Sequence, residues 1–390
     1  MIRSPESLRF FVSCAPGLEM ILAQELKALN LTILEPEPAT AASKNRVLPD
    51  DPGGWLLSGS LEDVYRSNLY LRTASRVSVR LGEFYAAAFS ELRKKASRLE
   101  WERYLSPGQP VHLSVTCHKS RLYHSDAVAE RVVGAINDRF SNSKKETQPS
   151  KNGQLVLVRL VNDLCTISID SSGALLHKRG YRLESTKAPL RETLAAALLL
   201  LSGWSGEMTL IDPFCGSGTI PIEAALLARN IPPGVARDFA FMHWPGFVPH
   251  EWERVLHSAR DGIIRQDSHI FGYDRDQGAV QSAISNASRA GLNEVIHFQR
   301  QSISELSPPR SNPGWLITNP PYGVRISGSK DLRNLYARFG NLLTTAFSQW
   351  QAGILCYDKK LTANLGLPPQ QASYHFTNGG LPVDFNVFAF

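Results

Sequence analysis

Thr209-Leu210-Ile211-Asp212-Pro213-Phe214-Cys215-Gly216-Ser217-Gly218-Thr219, followed by the apolar run 220–229, decides the fold class of this 390-residue chain. The first three residues predict a buried strand, and 220–229 predicts a helix. Between them lies a turn whose glycines let the backbone approach a ligand closely. Strand, glycine-rich turn and helix make the first unit of a nucleotide-binding α/β sheet. Asp212 at the strand end offers a carboxylate to a cationic ammonium group, and Cys215 reads as a small packing residue within the loop. The turn lacks the full GxGxxG spacing, which favours a shorter, positively charged adenosyl ligand over a dinucleotide.

The pattern repeats downstream. Phe271-Gly272-Tyr273-Asp274-Arg275-Asp276 ends a second predicted strand and leads into a helix over 279–290. An acid at that strand tip is placed to hold a ribose diol, which selects Asp274, whereas Asp276 suits an N-cap favoured by the helix dipole. A third predicted strand, 294–299, precedes Gln301-Ser302-Ile303 on the adenine side of such a ligand. Trp315-Leu316-Ile317 then runs into Thr318-Asn319-Pro320-Pro321-Tyr322-Gly323, where consecutive prolines forbid ladder pairing and helix alike. A carboxamide, rigid prolines and an aromatic ring form a small polar pocket with a stacking wall, suited to a planar base bearing an exocyclic amine. Alone, Asn-Pro-Pro reads as a turn; the ordered series of glycine loop, ribose acid, adenine-side polar residue and base pocket favours a site. S-adenosylmethionine (SAM) fits these features. The last strands are expected over 354–357 and 385–390, as an antiparallel pair at the sheet edge.

Upstream, Ala188-Pro189-Leu190-Arg191-Glu192-Thr193 opens an apolar helix through Leu201, its proline where a helix tolerates one. His177-Lys178-Arg179-Gly180-Tyr181-Arg182 is a compact basic segment, either a solvated linker or a surface touching nucleic acid through Lys178 and Arg179. The insertion 230–266 carries Trp244, Phe247 and Trp252, read as a cap packed over the sheet, with stacking on nucleotides as the other reading. The region before 172 mixes predicted strands (10–13, 76–81, 111–115, 155–160, 165–170) with predicted helices (18–29, 61–69, 89–96, 125–140). Pro36 to Gly54 reads as a loop. His118, Lys119, Arg121, Tyr123 and His124 cluster before a predicted helix N-terminus, where they could hold phosphates or could form a solvated loop with incidental charge.

A net charge of +6 and a pI near 9.0 permit a polyanionic partner. Composition is that of a soluble globular protein, 43% hydrophobic and 20% charged. The five cysteines have no paired spacing, so neither a disulfide framework nor a zinc site is expected, and no metal is invoked. The N-terminus lacks a hydrophobic h-region, and no apolar run approaches the roughly 20 residues of a membrane helix, so a cytoplasmic protein is expected.

The Asp212–Thr219 loop joined to Asn319-Pro320-Pro321-Tyr322 closely resembles the class I amino-methyltransferases. Together with Leu176 to Arg182, Ala188 to Leu198 and Asp212 to Ala225, it is most similar to the THUMP-containing RNA guanine-N2 methyltransferases, in particular the branch acting on large-subunit ribosomal RNA. The N-terminal part resembles a THUMP module with a ferredoxin-like lead-in. The resemblance implies an α/β protein. A ferredoxin-like lead-in (1–60) and a THUMP RNA-binding domain (61–172) precede a linker (173–190) and a Rossmann-like, mostly parallel seven-stranded methyltransferase domain (191–390). It implies SAM held by Thr193, Asp212, Cys215, Gly216, Gly218, Asp274, Ser302 and Asn319. It implies RNA held by His118, Lys119, Arg121, Tyr123, Lys178 and Arg179. One departure stands out: the family usually places an acid where this chain has Ser302.

The implied chemistry is methyl transfer to the N2 amine of guanosine in large-subunit rRNA. Asn319 and the Pro320 carbonyl would accept the amine N–H groups, Pro321 would hold the turn and Tyr322 would stack on the base. Three alternatives stay open: a tRNA guanine-N2 methyltransferase, an adenine-N6 nucleic-acid methyltransferase, and a SAM-binding ribosome assembly factor without turnover.

Overall fold

Leu8–Ser13 (β1) buries Leu8, Phe10 and Val12 and turns Arg9 outward, the period-two pattern of a half-buried strand. The computed structural model describes residues 7–34, 53–183, 190–265, 269–309, 312–321 and 329–390. Two compact units emerge, one of Met1–Cys14, Ala23–Leu176 and Arg237–His257, the other of Ala15–Leu22, His177–Ala236 and Ser258–Phe390.

The first unit continues from β1 through the later part of Glu19–Ala28 (α1), whose residues up to Leu22 are assigned to the second unit, then Thr32–Ile33 (β2), Gly54–Gly59 (β3), Leu61–Tyr70 (α2), Arg76–Tyr85 (β4), Phe89–Ala96 (α3), Val111–His118 (β5), Ser125–Arg139 (α4), Gln154–Val161 (β6) and Leu164–Asp170 (β7). Its seven strands run β2-β3-β1-β4-β7-β6-β5, and β5 and β6 are the parallel pair. Helix α2 starts where it does because Ser60 and Asp63 form a capping box, Ser60 N–H donating to Asp63 Oδ2 (2.8 Å) and Asp63 N–H to Ser60 Oγ (3.2 Å). The β6–β7 turn is the expected Asn162-Asp163, both at positive φ. Of the stretch read as a loop, Gly54 begins β3 and 35–52 lie outside the described residues.

Residues 237–257 of the insertion read as a cap over the second sheet belong instead to the first unit. Phe239, Phe241, Trp244 and Trp252 are buried, and Tyr65 of α2 lies 4.5 Å from the Phe241 ring and 6.0 Å from Trp252, centroid to centroid. Tyr65 also accepts a hydrogen bond from Val248 N–H (3.2 Å), and Arg237 donates to the Ser172 and Leu175 carbonyls. Apolar burial has no directional preference, so sequence alone did not identify the surface these rings would cover.

The second unit comprises Glu192–Ser202 (α5), Leu210–Asp212 (β8), Thr219–Ala228 (α6), Ile270–Asp274 (β9), Gln277–Arg289 (α8), Ile296–Arg300 (β10), Trp315–Thr318 (β11), Ser329–Ala346 (α9), Gln351–Cys356 (β12), Lys359–Ala363 (α10), Ala372–Asn378 (β13) and Leu381–Ala389 (β14); Pro249–Asp261 (α7), within the insertion, is assigned to the first unit up to His257 and to the second from Ser258. Strand order is β10-β9-β8-β11-β12-β14-β13. The first five strands are parallel, and β14 is antiparallel to both neighbours. This is the mostly parallel seven-stranded sheet that the sequence implied; the expected antiparallel pair is β12–β14, but it is not the edge, because β13, a strand the sequence reading missed, pairs outside β14. Order reverses between β8 and β11, the crevice where open α/β sheets bind ligands. Tyr336, Phe339 and Leu343 of α9, with Phe347 just after it, pack with Ile211, Leu316 and Ile354 into a core beneath that crevice. Among the described residues, no helix is long and apolar enough to cross a membrane, and no cluster of His, Cys, Asp or Glu could hold a metal ion.

Candidate functional site

Four strands bring the expected residues to one edge of the second sheet. β8 ends at Asp212, β9 at Asp274, β10 just before Gln301-Ser302, and β11 just before Asn319. The glycine loop crosses this edge and is held from the neighbouring strand: Cys215 N–H donates to the Tyr273 carbonyl (2.9 Å), and Gly216 N–H to Asp274 Oδ2 (3.0 Å). Gly218 caps α6 at φ +82°, and a Cβ there would sit 2.9 Å from Ala283 Cβ and 3.0 Å from the Phe298 ring. Close packing of helix on sheet therefore requires glycine at this position. Asp276 caps α8 by accepting from Ala279 N–H (2.8 Å) and donates its own N–H to Asp274 Oδ1 (2.9 Å).

Asp212 is buried, and its Oδ1 accepts from Thr318 Oγ1 (2.6 Å) and from Phe214 N–H (3.1 Å). Burial pushes its carboxyl up to about 7 against those two hydrogen bonds, and Asp274 adds repulsion. Burial likewise raises the Cys215 thiol well above its usual range, with Asp212 and Asp274 reinforcing the effect, so it is a packing residue rather than a thiolate. Asn319 Oδ1 is buried and has no hydrogen-bond partner among the described residues. Tyr336 donates to the Pro321 carbonyl (3.4 Å) from below and steadies the turn. Tyr322, expected to stack, lies outside the described residues.

Two residues beside the expected ones were given no role by sequence reasoning. Thr318 opened the stretch read as the base pocket, and the structure makes it the last residue of β11. At the departure noted above, Ser302 and Glu305 form a capping box, Ser302 N–H facing Glu305 Oε2 (3.4 Å). An acid thus reaches the Ser302 position from three residues on, and the Ser-x-x-Glu spacing was the overlooked signal.

The basic linker divides. Arg179, placed by sequence among the RNA contacts, is 4% exposed, and its Nε lies 3.6 Å from the buried Glu223, which also accepts from Tyr181 Oη (3.0 Å). Its charge is turned inward to balance a buried acid, so it is not a surface contact. Lys178 is exposed. Arg182 donates to the Leu190 carbonyl (2.8 Å) and to Thr219 Oγ1 (2.7 Å), with Glu192 at 3.2 Å, tying the start of α5, where Thr193 sits buried, to the first turn of α6. Burial raises Glu192 to about 7 although Arg182 opposes it.

In the first unit, His118 at the end of β5 and Lys119, Arg121, Tyr123 and His124 on the loop before α4 are all exposed, Tyr123 at 68%. Tyr123 and His124 rings lie 4.1 Å apart, Lys119 has φ +46°, and Arg121 N–H donates to Asp163 Oδ1 (2.6 Å), which fixes the loop against the β6–β7 turn.

Residues 179–384 match the family described as RMKL-like methyltransferase domain, 86–170 the THUMP domain, and 49–78 the RlmL ferredoxin-like domain. A ribosomal RNA large subunit methyltransferase K/L of Syntrophotalea carbinolica is 35% identical over 96% of this chain and 52% of its own length. The Methylococcus capsulatus protein of that name is 34% identical over 98% and 51%. The chain thus spans about half the length of these relatives. A Synechocystis protein provisionally named as an RNA methyltransferase is 35% identical over 96% of this chain and 94% of its own. Among solved structures, a candidate methyltransferase complexed with SAH has a TM-score of 0.86 at 30% identity, covering 98% of both chains. A candidate methylase from Clostridium difficile reaches 0.87 at 30% identity with the same coverage.

Proposed function

Because the chain belongs to the RMKL-like methyltransferase family, we propose that it is a cytoplasmic, SAM-dependent enzyme that methylates the exocyclic N2 amine of a guanosine in large-subunit rRNA. The observation that carries this reading is Asn319 Oδ1, a buried acceptor without a partner among the described residues, at the switch point of the sheet. A buried polar atom is costly unless a ligand pairs with it, and an amine N–H is the donor it fits.

The residues present fit SAM. The glycine loop lets backbone lie against an adenosyl group, Asp212 faces a cationic ammonium, and Asp274 retains acceptor capacity for a ribose diol beyond the two backbone N–H groups it already holds. When bound, SAM supplies an electrophilic methyl on its sulfonium. The guanine amine is a weak nucleophile because its lone pair is delocalised into the ring. Asn319 Oδ1 and the Pro320 carbonyl accept its N–H groups and favour the pyramidal nitrogen of the transition state, which is positioning and electrostatics rather than covalent catalysis. The base leaves its stack to reach them, at a cost of a few kcal/mol. The exposed loop 118–124 supplies cations and an aromatic ring for RNA.

Nucleoside mass spectrometry of rRNA and tRNA from a strain lacking the gene tests the reading. Loss of N2-methylguanosine from large-subunit rRNA is expected. Loss confined to tRNA, loss of N6-methyladenosine, or no change in either RNA would each overturn it.

A further inference from the structure

In that reading the cofactor occupies the rim of the sheet from β10 to β8, and the target base lies at the end of β11. Nucleotides flanking the base are therefore left the other half of the rim, formed by β12, β14 and β13. The register makes this half project. Thr318 pairs with Ile354, so β12 runs on to Cys356 while β11 breaks at the prolines. Tyr357 consequently stands about two residues, roughly 7 Å, beyond the level of Asn319, one strand spacing of about 4.8 Å to the side.

Tyr357 is 45% exposed, and Lys359 and Lys360 beside it are exposed. The β13–β14 hairpin rises further still: Cys356 pairs with Asp384, while β14 begins earlier, at Leu381, itself 50% exposed. The acids of this rim are engaged. Asp358 accepts from Lys360 N–H (2.8 Å), and Asp384 is held by His375 Nδ1 (2.6 Å). An exposed aromatic ring flanked by cations, next to a pocket that takes an extruded base, has the chemistry of a single-strand platform.

We propose that Tyr357 stacks on the unpaired RNA nucleotide adjacent to the target guanosine, and that Lys359 and Lys360 meet the phosphates that follow. This docking surface rests on the proposed methyl transfer and adds to it how RNA is held next to the reacting base.

The test uses the full chain with an unmodified large-subunit rRNA transcript. Tyr357→Ala is expected to raise the KM for RNA roughly tenfold, with the Kd for SAM unmoved, and Tyr357→Phe to keep the wild-type KM. The double variant Lys359→Glu/Lys360→Glu is expected to weaken RNA binding and to flatten its salt dependence by about one unit of log–log slope per lost phosphate contact. Wild-type KM and salt slope in both variants would overturn the docking surface, as would a fall in SAM affinity matching the loss of RNA affinity in Tyr357→Ala. A wild-type chain that binds SAM yet methylates no RNA would instead overturn the functional reading on which the surface rests.

Discussion

Thr318 Oγ1 donates a 2.6 Å hydrogen bond to Asp212 Oδ1, joining adjacent parallel strands at the point where the sheet order reverses. Both residues are buried. The bond links the acid expected to face the cofactor to the residue immediately before Asn319. Thr318→Val removes the donor that favours the carboxylate, so the Asp212 carboxyl rises further. Loss of such a charge-assisted bond costs about 1.5–3 kcal/mol, so SAM affinity at neutral pH falls at least tenfold. Thr318→Ser restores it. Isothermal titration of SAM checks both.

Asp212 and Glu192 are each pushed up to about 7 by burial. A carboxyl whose folded value lies above its unfolded one contributes stability that is present below the unfolded value, about 4, and is lost as pH rises to about 7. The ligand-free protein is therefore expected to lose stability from these groups between about pH 4 and 7. Asp212→Asn should flatten part of that slope. SAM affinity should rise over the same window, because the ammonium needs the carboxylate. Urea denaturation and SAM titration across pH measure the two trends.

Asn319→Ala is expected to reduce methyl transfer by at least a hundredfold, the scale of losing one positioned transition-state acceptor, while SAM affinity stays within about twofold, since the carboxamide acts on the base side. Single-turnover transfer from labelled SAM, with SAM binding measured in parallel, decides it. Undiminished turnover would remove Asn319 from the site.

Arg179→Ala leaves Glu223 buried without its cation, which costs about 3–5 kcal/mol. Lys178→Ala, on the exposed side of the same segment, should cost less than about 0.5 kcal/mol. Denaturation midpoints distinguish them. Equal and small effects would mean that Arg179 is not compensating a buried charge.

Trp252→Ala empties a buried aromatic site beside Tyr65 and should destabilise the first unit by about 3–5 kcal/mol, although Trp252 lies more than a hundred residues after Tyr65 in the chain. Hydrogen exchange should show the loss in β1, α2 and β4 rather than in the parallel sheet. Increased exchange in β8 to β11 would contradict this packing.

The sequence by itself determined the features governed by local backbone chemistry. Gly216 and Gly218 marked the close turn, Pro320-Pro321 stopped β11, Asp276 capped α8 and Asn162-Asp163 turned β6 into β7. Each rests on φ/ψ limits or hydrogen bonds spanning a few residues, which the residue type itself imposes. The order of these features also gave the mostly parallel sheet and the edge at which the candidate site forms. Tertiary structure alone decided where long-range partners fall. Arg179 turned inward because Glu223, 44 positions away, is buried beneath it; the insertion's rings joined the first unit rather than the second; Thr318 became the partner of Asp212; and β12 outran β11 to lift Tyr357 above the pocket. Burial and charge pairing depend on distance in space and carry no memory of separation along the chain, so their outcome was not written in any local stretch.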